Sequence, residues 1–204
     1  MTTTIKNKKL KILYFMHSTF FRGGAAKSIF EVIKRIKEDD TYEITVLLFD
    51  VANDEIKAKL IELDVKILLI NKNTFTIFGK YLIGWLKGFN FLKTFLLILK
   101  DLFLSILALG RIKKLIIRLN PDIIHFNSSV LIPVAFLLPN NYKKIIHIRE
   151  SLIKMTLLRS KLLIFFLKKP INLICISENE YLDYRNLTNS KIEIIGNPIS
   201  PKSL

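Results

Sequence analysis

Two kinds of apolar segment alternate along the chain. Short, mostly continuous, β-branched runs fall at 11–16, 43–49, 65–70, 122–126, 144–148, 172–176 and 191–195. Helix-like stretches separate them, at 25–37, 54–63, 75–119, 131–138, 155–169 and 177–184. Continuous apolar runs suit strands covered on both faces, and strand–helix alternation builds βαβ units around a parallel sheet. The expected fold is α/β: a parallel sheet flanked by helices, Rossmann-like, with a long helical insertion at 75–119. Ligands of such sheets sit at the carboxyl ends of the strands. The loops that follow each strand are therefore the ones to inspect.

The first such loop reads HSTFFRGGAAKSIFEVIKRI. Arg22, Gly23 and Gly24 stand directly before a helix. The glycines supply either a tight turn or a backbone that approaches an anion or a sugar closely. In DIIHFNSS, residues 122–129, His125, Asn127, Ser128 and Ser129 offer groups suited to sugar hydroxyls or to capping the next helix. In HIRES, alternation sends His147 and Arg149 to one side of the strand. Arg149 could bind phosphate bidentately and Glu150 could take a proton from an acceptor hydroxyl; equally, the two could form an ordinary ion pair. In ICISENE, Ser177 reads as a helix N-cap with Glu178 and Glu180 in the first turn. The last run, KIEIIGNPIS, is a short strand broken by Gly-Asn-Pro.

Composition narrows the partners. At 204 residues the chain can bury a real core, and residues 1–200 read as one domain with 201–204 beginning a linker. Hydrophobic residues make up 50%, mean hydropathy is +0.35 and formal charge is +15. That balance suits a membrane surface or anionic partners such as nucleotide phosphates, or reflects a bias toward Ile, Lys, Asn and Phe. The basic residues are scattered among leucines rather than gathered with aromatics, which argues against nucleic acid. Cys175 stands alone, so no intrachain disulfide forms and a reducing compartment is expected. The lysine-rich start, MTTTIKNKKLKILYFMHSTFF, lacks a small-residue cleavage site and reads as a leader plus the first strand. Three scattered histidines make no metal site, and neither Gly-x-Gly-x-x-Gly, a Walker lysine nor a Gly-x-Ser-x-Gly elbow is present.

The segment KYLIGWLKGFNFLKTFLLILKDLFLSILALGRIKKL, 80–115, is broken by Lys93 and by Lys100-Asp101, so it lacks the roughly 18 apolar residues of a spanning helix. At about 100° per residue, Lys93, Thr94, Lys100, Asp101 and Ser105 share one narrow face. The rest is Leu, Ile and Phe. Such a helix lies in a membrane interface with its lysines near anionic headgroups, or packs its apolar side into protein. Tyr81, Trp85 and LLRSKLLIFFLKK at 157–169 add to the interfacial reading.

Taken in order, FRGGAAKSIFEVIKRI, PDIIHFNSS, HIRES, ICISE and KIEIIGNPIS resemble the N-terminal, acceptor-side domain of GT-B glycosyltransferases of the family-4 type. The resemblance implies transfer of a sugar from a nucleotide-sugar donor, a substrate rather than a cofactor, to a lipid-linked or polysaccharide acceptor. It places Gly23 and Gly24 at the interdomain cleft, with Arg22 and Asn127 binding substrate and His125, Arg149 and Glu150 as catalytic candidates. Relatives often carry histidine where this chain has Arg149. The resemblance also implies a donor-binding C-terminal domain, expected to be missing here, with the chain either a truncated or split product or completed by a separate polypeptide, and no catalytic metal. A cytoplasmic protein, peripheral at the inner face of the membrane, follows from the amphipathic segment. The alternative is a membrane-associated accessory protein without catalysis.

Overall fold

A computed structural model describes residues 8–17, 24–48, 54–70, 91–152 and 157–197. Arg22, Gly23, Tyr81, Trp85 and the first part of the long apolar segment lie outside these. Seven strands form one parallel sheet in the order β3-β2-β1-β4-β5-β6-β7. They are β1 (Leu10–Met16), β2 (Tyr42–Leu48), β3 (Lys66–Leu69), β4 (Ile123–Phe126), β5 (Lys143–Ile148), β6 (Asn172–Cys175) and β7 (Ile192–Ile194). The helices are α1 (Gly24–Lys37), α2 (Asp54–Glu62), α3 (Phe91–Leu119), α4 (Ile132–Leu137, after a 3-10 turn at Ser129–Leu131), α5 (Leu157–Phe166) and α6 (Glu178–Tyr184). The sheet is the Rossmann-like α/β arrangement that the alternating runs imply.

Each face of the sheet has its own core, and β1 shows why its sequence is apolar throughout. Ile12, Tyr14 and Met16 pack with Ile29 and Ile33 of α1 and Ile56 and Leu60 of α2. Leu13 and Phe15 turn to the other side, toward Ile112 and Ile116 of α3 and the α4–α6 layer. Every side chain of the strand's second half is buried, so alternation brings no polar residue. A fully buried Ile or Leu of this kind contributes about 1.5–3 kcal/mol. α1 buries Ala26, Ile29 and Ile33 at helical spacing and carries Lys34, Arg35 and Lys37 in its last turn, where cations suit the helix dipole. α2 and α3 both stop at a residue in the left-handed region, Asp64 (φ 51°) and Asn120 (φ 45°). Pro121 then prevents α3 from continuing.

From β1 the chain crosses outward to β2 and β3, then returns to the other side of β1 for β4. The order therefore reverses between β1 and β4. Such a reversal marks the usual ligand crevice of an open parallel sheet, at the carboxyl ends of those strands.

Candidate functional site

Around that crevice the carboxyl ends of β4 and β5 meet the first turn of α1 and the chain leaving β7. Asn127, one residue beyond β4, extends the ladder by donating its amide to Phe15 O at 3.0 Å. Its side-chain Nδ2 donates to Ala25 O of α1 at 3.3 Å, and its Oδ1 accepts from Arg149 Nε at 3.0 Å. Asn127 is thus buried and ties α1 to β5 through its two ends.

Arg149 is the centre of the cluster. Besides Asn127, its Nη1 donates to Asn197 Oδ1 at 2.5 Å, and its Nη2 lies 3.0 Å from His147 Nδ1. Asn197 Oδ1 also accepts from Ser28 Oγ at 2.9 Å. Three contacts use three of the guanidinium N–H groups and leave one on each terminal nitrogen uncommitted among the described residues. Burial pulls the guanidinium pKa down to about 10, opposed by the charge of Glu150, so Arg149 remains a cation at neutral pH.

Two histidines lie behind it. His125 and His147 stack with ring centroids 5.7 Å apart, and Tyr14 meets His125 at 4.9 Å. Because a guanidinium only donates, His147 Nδ1 must accept, which places the proton of the neutral ring on Nε2. Nε2 of both rings is buried and has no hydrogen-bond partner among the described residues. Burial first, then the charge of Arg149, lowers the His125 pKa to about 3. The same two causes, with His125 itself third, lower that of His147 to about 2. Both rings are therefore neutral spacers beside a fixed cation.

Glu150 faces elsewhere. Its Oε1 accepts from Ser128 Oγ at 2.7 Å; its Oε2 accepts from Ser129 Oγ at 2.6 Å and from the amides of Ser129 and Arg149 at 3.2 and 3.3 Å. Neighbouring side chains of an extended strand leave on opposite sides. Arg149 and Glu150 accordingly make no ion pair among the described residues, and the ordinary pair considered from the sequence does not form. Ser128 and Ser129 are fully buried, so their hydroxyls serve Glu150 and the turn rather than a sugar. Ser128 Oγ also accepts from Val130 N at 3.2 Å, which starts the 3-10 turn.

α6 fixes the loop after β5. Asp183 accepts from Leu152 N at 2.7 Å and Glu180 from Ser151 Oγ at 3.4 Å. Ser177 occupies the N-cap position of α6, but its hydroxyl donates to the Glu180 carboxylate and caps no amide. At the opening of α1, a Cβ on Gly24 would meet nothing within 4 Å among the described residues. Its backbone is helical, so neither packing nor φ demands glycine there.

Of the residues singled out in the sequence, the structure brings together His125, Asn127, Arg149 and Glu150, with Gly24 at the start of the adjoining helix. Ser28 and Asn197 were missed. They are 169 residues apart in the chain, and only the exit of β7 over α1 joins them. Among the described residues no group of His, Cys, Asp and Glu is placed to hold a metal ion.

No family model and no curated protein matches the chain. Among solved structures, Anabaena Alr3699/HepE, crystallised with UDP and glucose, is similar over 95% of this chain, with a TM-score of 0.58 and 14% identity. The chain spans 48% of that protein's length. At this identity the likeness is one of fold.

Proposed function

We propose that the chain is the acceptor-side half of a glycosyltransferase. Together with a donor-binding domain, it would move a sugar from a nucleotide sugar to a hydroxyl of a glycan or lipid-linked acceptor. One observation carries the reading. A cation, Arg149, is held by Asn127, Asn197 and His147 at the crevice where the strand order reverses, beside the first turn of α1. The fold likeness to a protein crystallised with UDP and glucose supports it.

In this transfer the acceptor oxygen forms a bond to the anomeric carbon as the bond from that carbon to the diphosphate breaks. Negative charge gathers on the departing diphosphate, whose oxygens can take the proton that the acceptor hydroxyl loses. Arg149 has uncommitted N–H groups for the developing charge and needs no reorganisation to present them. The neutral histidines add no charge beside the guanidinium, and among the described residues no carboxylate is in ion-pair contact with it. Among the described residues Gly24 leaves open space at a helix end whose dipole favours anions. Glu150, bound by two serines, holds the loop that carries Arg149. An acceptor proton would reach it only if a serine hydroxyl gave way.

We further propose that the protein lies against a membrane surface. Phe95, Leu96, Leu99 and Phe103 of α3 are exposed and fall within about 100° of one another around the helix. Ile117, 68% exposed, continues the stripe. The core-facing Ile112 and Ile116 lie on roughly the opposite side, so the stripe points away from the sheet. Lys100, Arg111, Lys114 and Arg118 flank it, as expected for anionic headgroups. No helix among the described residues is long and apolar enough to cross a membrane.

The test is release of nucleoside diphosphate from a panel of sugar nucleotides by the chain assembled with its donor-binding domain. Acceptors extracted from membranes are added in turn. Acceptor-dependent release is expected. No release with any donor, from a protein shown to be folded, would overturn the reading.

A further inference from the structure

The opposite end of the sheet holds a pocket that the crevice does not explain. It opens at the amino-terminal edges of β5 and β6, beneath the ends of α5 and α6, and measures about 730 Å³. Lys143, at this pocket, begins β5, and Arg149, at the crevice, directly follows its end, a separation of about 20 Å at the usual rise per residue. A ligand here is therefore not in the crevice.

The lining has an unusual chemistry. Asn141, Asn172, Asn186 and Asn189 present carboxamides that make no side-chain hydrogen bond among the described residues. Each offers donors and an acceptor side by side, the pattern that matches vicinal hydroxyls. Tyr142, Leu167 and Leu187 supply an apolar floor for the CH faces of a ring, in the mixture typical of small-molecule sites.

Charge adds a second selection. Four lysines line the pocket and no carboxylate does. Lysines at helix C-termini often serve only the dipole, and two nearby do so. Lys144 Nζ donates to Ala135 O at 3.0 Å and Leu138 O at 2.9 Å, and Lys169 Nζ to Phe136 O, all at the end of α4. Lys191 is paired with Glu193. That leaves Lys143 and Lys168, both exposed and with no acidic partner among the described residues.

We propose that this pocket is a second binding site, for a saccharide bearing carboxylate or phosphate groups. The carboxamides take ring hydroxyls and Lys143 and Lys168 take the anionic substituents. This goes beyond the transferase reading and does not rest on it, because the residues and the end of the sheet are different.

Calorimetric titration of the full chain with tetragalacturonate, maltotetraose and inorganic phosphate tests it. Tetragalacturonate is expected to bind saturably, and several-fold more weakly at raised salt. Maltotetraose and phosphate should each bind about tenfold more weakly or worse. Lys168→Glu and Asn186→Asp, both at exposed positions, should each weaken tetragalacturonate binding about tenfold with an unchanged melting temperature. Arg149→Gln should leave it intact. No saturable binding would overturn the proposal, as would equal affinity for phosphate or maltotetraose. So would binding that survives both pocket substitutions, or that is lost with Arg149→Gln, which would put the sugar in the crevice.

Discussion

Lowering the pH should destabilise this chain through its stacked histidines. His125 and His147 have folded-state pKa values of about 3 and about 2, against an unfolded value near 6.5. The folded values are the lower ones, so the unfolded chain takes up protons first as pH falls. The stability these rings contribute is fully present above about pH 7 and is lost as pH drops through 6.5 and below. Between pH 7 and 5 each ring costs roughly 2 kcal/mol by this linkage, so the pair costs about 4 kcal/mol. That is a large share of the 5–15 kcal/mol typical of a domain. The perturbation is His125→Phe. The substituted ring can keep the stacking against Tyr14 and His147 and removes a buried Nε2 that has no partner. Urea unfolding of both proteins at pH 7, 6 and 5 gives the slopes. The wild type should lose about 4 kcal/mol and the variant about half of that. Stability that is flat from pH 7 to 5, or a slope that His125→Phe leaves unchanged, would refute the buried, neutral pair.

Three further outcomes are expected. Glu150→Gln should destabilise the chain by about 1–3 kcal/mol in urea unfolding, since Ser128 and Ser129 lose a charged acceptor. Lys144→Met should strip the α4 carbonyls of their donor and lower stability at pH 7 by about 1–3 kcal/mol. It should also abolish a pH effect. Burial, then the charge of Lys169, lowers the Lys144 pKa to about 8, so the unfolded chain holds that proton longer and wild-type stability gains a rising component between pH 8 and about 10.4, read from urea midpoints in both proteins. Leu96→Glu with Phe103→Glu should reduce flotation on anionic vesicles by about tenfold or more while leaving the melting temperature unchanged, because both side chains already face out.

The sheet was legible because parallel strands buried on both faces read as continuous apolar runs, and β1 and β5 appear within a residue of the expected runs. Alternation also placed His147 and Arg149 on one side, where the structure holds them 3.0 Å apart. What the sequence could not convey was partnership across the chain. Arg149 and Glu150 are neighbours that diverge, and the true partners of Glu150 lie more than twenty residues upstream. Asn197 looked like part of a turn, yet its side-chain Oδ1 joins Ser28 to Arg149. The direction of the apolar stripe of α3 was equally hidden. A periodic pattern defines a face but not what that face meets, and here the far half of the same helix packs its other side into the core.

The most direct measurement is turnover of Arg149→Gln in the chain assembled with a donor-binding domain, expressed per folded molecule. If the proposed transfer site is right, substitution removes a fixed cation from the point where diphosphate charge would develop, so the rate should fall by about 100-fold or more, with Arg149→Lys restoring part of it. Circular dichroism and the melting temperature should show that the fold remains. Turnover by Arg149→Gln within a few-fold of wild type would contradict an Arg149-centred transfer site.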